Sequence, residues 1–442
     1  MLSRLSTGWG QASRFKIAGL LIVLTMLLVP LTACGGGGSS NGPVTLTFWS
    51  WVPNLQDEVK LFEQAHPNIH VKLVNAGQGN PEYTKLRNAL KAGTGAPDVV
   101  QIEFQYLPTF ELQKALVDLA PYGATSLKND YVPWTWGQVS NGSSVYAIPQ
   151  DSGPMGLLYR KDIFDKYNLQ VPTTWDQFAQ VAQQLHQADP SISMTTFEGT
   201  DGGWLQGLEW QAGSHPFTVN GTNLTVSLND APAQKVFNYW GNLVNKKLVA
   251  TTPDFTNDWY AAFNNGKYAT WITAAWGPVF LSGFADKTSG KWRAAPLPQW
   301  NAGDTASANW GGSSDAVTTQ SKHPKEAYEL ASWINHDKSS AMMLATKQFL
   351  FPTVNSVLSD PSFAGGKLDF YGGQQVNQVF IESSQHVNTN FQWSPFQDYV
   401  YTQMGDVVGS AQSGKMSFSD ALNQLQATVV TYGKQQGFNV TS

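Results

Sequence analysis

Apolar positions after residue 43 follow two periods in turn. Val44-Thr45-Leu46-Thr47-Phe48-Trp49 alternates with period two and predicts a strand. Leu55, Val59, Phe62 and Ala65 share one helical face, and Pro67 ends that helix. Ile69, Val71 and Leu73 alternate as a second strand, and Tyr83, Leu86 and Leu90 mark a helix that stops at Gly93. Asp98-Val99-Val100-Gln101-Ile102 reads as a buried strand, and 110–119 as a helix. Strands alternating with helices in this way predict an α/β fold, with a parallel sheet and right-handed crossovers. Ligands of such sheets bind beyond the carboxyl ends of the strands, here near 50–54 and 103–106.

A second set of elements follows Tyr146-Ala147-Ile148-Pro149. Residues 156–159 read as a strand and 161–167 as a helix. Another helix begins after Thr174, which stands at capping-box spacing from Gln177. The segment 199–229, rich in Gly, Asn and Trp, reads as loops with a hairpin. Residues 233–245, 259–264, 327–335 and 421–432 read as helices. A chain of 442 residues exceeds one ordinary core, so two domains are expected.

The N-terminus has a different pattern. Arg4, Arg14 and Lys16 precede an apolar run over 17–29, which has the length of a signal peptide and is short for a membrane span. Leu31-Thr32-Ala33-Cys34 follows, and Cys34 is the one cysteine in the chain. This stretch resembles the lipobox of bacterial lipoproteins. The resemblance implies that 1–33 is removed and that Cys34 carries the lipid anchoring the protein on the extracytoplasmic face of the membrane. Several acyl chains on one residue give durable anchoring. Residues 34–43 then form a flexible tether, Gly-Gly-Gly-Gly-Ser-Ser-Asn-Gly-Pro after the cysteine.

Composition narrows the chemistry. Charged residues are only 13% of the chain, while Trp 17, Tyr 15 and Phe 23 are plentiful, which suits flat, polar, uncharged ligands. Losing three basic residues and no acidic one with 1–33 takes the formal charge from −5 to −8, against nucleic acid as a partner. A lipidated lone cysteine leaves no thiol for a disulfide, zinc site or nucleophile. No histidine pair has HExxH spacing, and Gly290-Lys291 and Gly366-Lys367 lack the Ser or Thr of a phosphate loop. No metal, cofactor or catalytic residue is therefore expected.

Several motifs in sequence carry a family likeness. They are Phe48-Trp49-Ser50-Trp51, Pro97-Asp98-Val99-Val100, Tyr146-Ala147-Ile148-Pro149 and Gly156-Leu157-Leu158-Tyr159-Arg160-Lys161-Asp162. Pro172-Thr173-Thr174-Trp175-Asp176, Gly266-Lys267-Tyr268-Ala269 before Trp276, and Trp310-Gly311-Gly312-Ser313 complete the series. With the lipobox, they make the chain resemble the family 1 extracellular solute-binding proteins of carbohydrate ABC importers, maltose-binding-protein-like. The resemblance implies a two-lobed periplasmic-binding fold, each lobe a mostly parallel sheet flanked by helices and joined by hinge strands. Lobe one would comprise 44–149 plus 313–360, and lobe two 150–312 plus 361–442. The function implied is capture of a mono- or oligosaccharide in the interlobe cleft by a monomer, for delivery to permease and ATPase subunits.

Candidate sugar contacts combine position with chemistry. Trp49 lies within its strand and reads as core, whereas Trp51 lies past the strand end and reads as a ligand contact, with Asn54 on the same loop. Glu103, Gln105 and Tyr106 follow the third strand at the cleft edge. Asp151 stands at the first crossover, where the resemblance implies an acidic sugar contact. Trp204 and Trp276 are lobe-two aromatics able to cover a pyranose face, and the resemblance implies stacking at Trp276. Trp271 reads as core. Trp310, Gly311 and Gly312 mark a second crossover, where adjacent glycines permit close approach or hinging. Tyr371, Gln374 and Trp393 are further candidates. The rival function is a secreted glycoside hydrolase, which would need two carboxylates about 5–5.5 Å or about 6.5–9.5 Å apart; Glu103 and Asp151 are the pair it would use. A binder of charged ligands would need clustered acids, histidines or arginines instead.

Overall fold

The computed structural model describes residues 42–442. The expected signal peptide, Cys34 and all but the last two residues of the expected tether lie outside the described residues. Among those described, no helix is long and apolar enough to cross a membrane.

Two sheets organise the described chain. The first has five strands in the order Ile69–Val74, Val44–Trp49, Val99–Glu103, Ser313–Val317, Ala147–Pro149. The first three are parallel. Ser313–Val317 runs antiparallel to both of its neighbours, so four of the five strands point the same way. Gln56–Ala65 and Asn80–Ala92 are the crossover helices, and the second ends on Gly93 in left-handed conformation, as its sequence predicts.

The second sheet has three strands, Thr270–Ala274, Met155–Arg160 and Trp292–Pro296, and corrects one expectation. Both outer strands are antiparallel to the central Met155–Arg160, so this sheet is not mostly parallel. Met155–Arg160 and Thr270–Ala274 are buried almost throughout, as parallel strands usually are, and burial alone carries no direction. The hairpin of Phe217–Asn220 and Asn223–Val226 gains a third, parallel strand from Asn439–Thr441.

Two other expectations change. The helix expected over 110–119 is a 3-10 turn at Phe104–Tyr106 followed by Leu107–Leu112. Lys114 is left-handed (φ 53°) and breaks the helix, and Val117 N–H then bonds the Val317 carbonyl. The stretch 199–229 is not all loop, because Gly202–Gln211 is a helix buried on nearly every side. Its glycines serve contact rather than flexibility: a Cβ on Gly207 would stand 2.7 Å from the Met155 sulfur.

Three chain segments run side by side between the sheets. Ala147–Pro149 belongs to the first sheet and Met155–Arg160 to the second, so the chain crosses over 150–154. It returns over 297–312, where Trp310 N–H donates to the Gly153 carbonyl at 2.8 Å and Gly153 N–H to Asn309 Oδ1 at 2.8 Å. Ser152 N–H donates to the Phe351 carbonyl of the third segment. Gly153 must be glycine, since a Cβ there would lie 1.9 Å from the Trp310 oxygen.

Candidate functional site

The first-sheet strands deliver a polar cluster at their carboxyl ends. Ser50 Oγ donates to Gln101 Oε1 at 2.7 Å, Trp51 N–H to the same oxygen at 3.1 Å, and Gln101 Nε2 to Ser313 Oγ at 3.2 Å. These bonds pin the loop after the first strand to its neighbours. Trp51 is held half-buried, edge-on to Tyr83 with ring centroids 6.4 Å apart.

Tyr83, from the helix Asn80–Ala92, braces the next loop. Its hydroxyl donates to Glu103 Oε2 and accepts from Glu103 N–H, each at 3.0 Å. Tyr106 packs against Tyr83 at 4.6 Å and meets Tyr401, from the helix Gln397–Gln412, edge-on at 6.4 Å. Arg87 pairs with Asp398 beside this contact.

The crossover segments supply the remaining groups. Asp151 Oδ1 accepts from Ser313 N–H at 2.8 Å. Asp201 Oδ1 caps the helix Gly202–Gln211 by accepting from Gly203 and Trp204 N–H, and its carboxyl also takes a bond from the Trp310 side chain. The Trp310 carbonyl accepts from Trp276 Nε1 at 3.1 Å, and the two indoles meet at 4.7 Å and 63°. Gly311 and Gly312 are both left-handed, φ 80° and 91°. A Cβ on Gly312 would meet Phe104, the Asp151 oxygen and Ser152 at about 3 Å, so Gly312 lets the backbone pass between them.

Burial sets the electrostatics. It pushes the Glu103 carboxyl up to about 7, with Asp151 and Asp201 adding like charge against the hydrogen bonds from Tyr83 and Gln105. Burial likewise pushes Asp151 up to about 6, opposed by its bonds to Ser313. Asp201 is also pushed up to about 6 by burial, and Asp254 adds to the effect. Carboxylates, amides and hydroxyls beside half-exposed indoles form a site for an uncharged polyhydroxyl ligand.

Trp51, Glu103, Gln105, Tyr106, Asp151, Trp276, Trp310, Gly311 and Gly312 thus stand around one cluster. Five candidates, Trp204, Tyr371, Gln374, Trp393 and Asn54, do not. Trp204 is fully buried against Phe197 and Trp240, and its indole N–H is engaged by the Ile272 carbonyl, so it is core. Trp271 is core as expected, bonded to Glu198. Tyr371 is buried with its hydroxyl on the Pro278 carbonyl. Gln374 bonds both the N–H and the carbonyl of Ala294, acting as an extra partner for that strand. Trp393 donates to Gln138 and lines a separate cavity of about 320 Å³ with Glu111, Tyr146 and Phe391. Asn54 is exposed and left-handed (φ 59°), one residue before the helix cap. Trp49 is half-buried against the core.

The sequence reading missed Tyr83, Asp201 and Tyr401. Asp201 had a usable signal, an acidic residue directly before Gly202-Gly203-Trp204, which is N-cap chemistry. Tyr83 lies within a helical pattern that reads as core, and the helix Gln397–Gln412 that carries Tyr401 was not read from the sequence. Among the described residues, no group of three or more His, Cys, Asp or Glu side chains is placed to hold a metal.

Comparison with known proteins matches residues 49–339 to the bacterial extracellular solute-binding protein family. Among curated relatives, the arabinooligosaccharide-binding protein of Halalkalibacterium halodurans is 25% identical, covering 80% of this chain and 81% of its own length. The lactose-binding protein of Rhizobium radiobacter is 26% identical, covering 76% and 81%. Among solved structures, an ABC-transporter-associated binding protein of B. animalis subsp. lactis, in complex with β-1,6-galactobiose, has 32% identity and a TM-score of 0.78. The match covers 91% of this chain and all of that one. The galacto-N-biose/lacto-N-biose I-binding protein of Bifidobacterium longum, in complex with lacto-N-biose, has 26% identity and a TM-score of 0.81 over the same shares.

Proposed function

The chain belongs to the bacterial extracellular solute-binding proteins, and from that premise we propose that it captures a sugar for an ABC importer. The observation that carries the proposal is the meeting of the partly exposed Trp51 and Trp276 indoles with the buried Asp151 and part-buried Glu103 carboxyls where the chain crosses between its two sheets. The relatives named for arabinooligosaccharide and lactose, and the neighbours solved with galactobiose and lacto-N-biose, support a carbohydrate as ligand.

In this reading Trp276 and Trp51 cover apolar sugar faces, while Glu103, Gln105 and Asp151 accept hydroxyl protons. Tyr106, Trp310 and the left-handed Gly311-Gly312 pair shape the floor. The lobes divide at 44–149 plus 313–360 and 150–312 plus 361–442 and close on the sugar. Cys34 anchors the protein outside the cell, and permease and ATPase subunits receive the ligand. The sugar is released intact.

The test is calorimetry on the purified chain with β-1,6-galactobiose, lacto-N-biose, lactose and arabinobiose, with product analysis after long incubation. Saturable binding of at least one saccharide without cleavage is expected. Absence of binding to every saccharide overturns the ligand class. Turnover that is abolished by Glu103→Gln or Asp151→Asn replaces transport with hydrolysis.

A further inference from the structure

The cavity of about 320 Å³ beside Trp393 shares no lining residue with the sugar cluster. Its size is that of a small-molecule site. Its walls come from both sides of the chain crossovers: Glu111, Gln138 and Tyr146 precede the first, and Asn220, Phe391 and Trp393 follow it. Packing fixes the aromatic wall. Phe391 stacks on Trp210 at 4.3 Å and meets Trp393 edge-on at 4.8 Å. The lining amides are engaged by the protein itself. Gln138 Oε1 accepts from Trp393 Nε1, and Gln138 Nε2 donates to the Phe391 carbonyl at 3.1 Å. Gln392 Oε1 accepts from Val219 N–H at 3.1 Å.

Glu111 is the group left for a ligand. It is the one charged side chain lining the cavity among the described residues, and Tyr146 is the one other titratable group there. Lys114, exposed on the chain just beyond, does not line it. Asn141 bonds the Glu111 carboxyl, which burial pushes up to about 7. A half-buried carboxylate with no cation facing it lacks a counter-charge, and a bound cation supplies one. One carboxylate is too few ligands for a metal ion, and among the described residues no group of three or more His, Cys, Asp or Glu is placed to hold one. The carbon surface beside Glu111 suits an organic cation instead. Leu112 is 51% exposed there, and Tyr146 presents a half-buried ring able to meet positive charge.

We infer that this cavity is a second binding site, for a small organic cation whose ammonium group pairs with Glu111 and whose carbon body lies along Leu112 and Tyr146. The site is additional to sugar capture and does not depend on it.

The probes are benzylammonium and its neutral counterpart benzyl alcohol, titrated against the full chain by ligand-observed NMR. At pH 8 benzylammonium is expected to bind about tenfold or more tightly than the alcohol. Its affinity should rise about tenfold from pH 6 to pH 8, as Glu111 ionises through about 7. Glu111→Gln keeps the size of the side chain and removes its charge, so it should abolish both the preference and the rise. Gly137→Leu should fill the cavity. Gly137 lines it from the helix Pro133–Val139, and a Cβ there meets nothing nearer than the Thr389 carbonyl at 3.8 Å. An unchanged melting temperature shows each variant folded, and if one fails to fold the other decides. Equal binding of the alcohol, or a pH-dependent rise that persists in Glu111→Gln, overturns the inference. Undiminished binding to Gly137→Leu places the cation elsewhere and overturns it too, as does a wild type that binds no benzylammonium.

Discussion

In the proposed site, Trp276 and Asp151 would divide recognition unequally. Covering a sugar face with indole removes apolar surface from water at little polar cost. A hydroxyl bonded to Asp151 only exchanges water for carboxylate, but a wrong epimer leaves a buried acid without its partner. Trp276→Ala should therefore cost about 2 kcal/mol or more for good and poor sugars alike. Asp151→Asn should cost about 1.5–3 kcal/mol for the best sugar and less for poor ones. Calorimetry with two sugars separates these outcomes. Acid should act in the same direction as the second change. Glu103 loses its charge on acidification through about 7, and Asp151 and Asp201 through about 6. Glu103 and Asp151 would then give up their proposed charge-assisted bonds to ligand hydroxyls, and Asp201 would weaken its cap on the helix Gly202–Gln211. Affinity measured at pH 8, 6.5 and 5 should fall stepwise, and Glu103→Gln should flatten the upper step.

The crossover segments are where a single methyl group matters most. Gly153→Ala drives a Cβ against the Trp310 carbonyl, the same oxygen that holds the Trp276 indole. A loss of about 3 kcal/mol or more in urea unfolding is expected, above the usual overpacking range because backbone cannot step aside. At this scale the sequence was readable where a period persisted. The strands at 44–49, 69–74 and 99–103 and their crossover helices followed from alternation and helical spacing. The helix Gly202–Gln211 did not, because it is apolar on all sides and its glycines imitate a loop. The antiparallel second sheet was equally hidden, since strand direction depends on partners far away in sequence. Trp204 and Trp276 could not be told apart by residue type. Their fates were settled by Phe197 and Trp240 around one and the open rim beside the other.

For the whole molecule, the buried carboxyls point to one dependence on pH. Burial pushes Glu82 up to about 8, and neither of its oxygens finds a hydrogen-bond partner among the described residues. Asp315 is raised to about 7, and Glu198 and Glu209 are held well above the ordinary range. Between about pH 8 and 4.5 the folded chain thus binds more protons than the unfolded one, so stability rises as pH falls. The melting temperature should be higher at pH 5.5 than at pH 8; the reverse order would show these acids to be solvated. Acids held low, such as Asp162 beside Arg160, act only below this window. Shape should respond as well. Arg87 and Asp398 join the helices Asn80–Ala92 and Gln397–Gln412. Sugar should shrink the radius of gyration in solution scattering, and Arg87→Ala should enlarge it in the unliganded protein while costing about 1 kcal/mol or less of affinity. Finally, most indoles in the described chain are sealed from solvent, and of the five that remain partly open Trp51 and Trp276 stand at the proposed site while Trp49, Trp300 and Trp333 lie elsewhere. The protein is therefore its own optical sensor: ligand covering Trp51 and Trp276 should move tryptophan emission to shorter wavelength, against a contribution from the other indoles that stays constant.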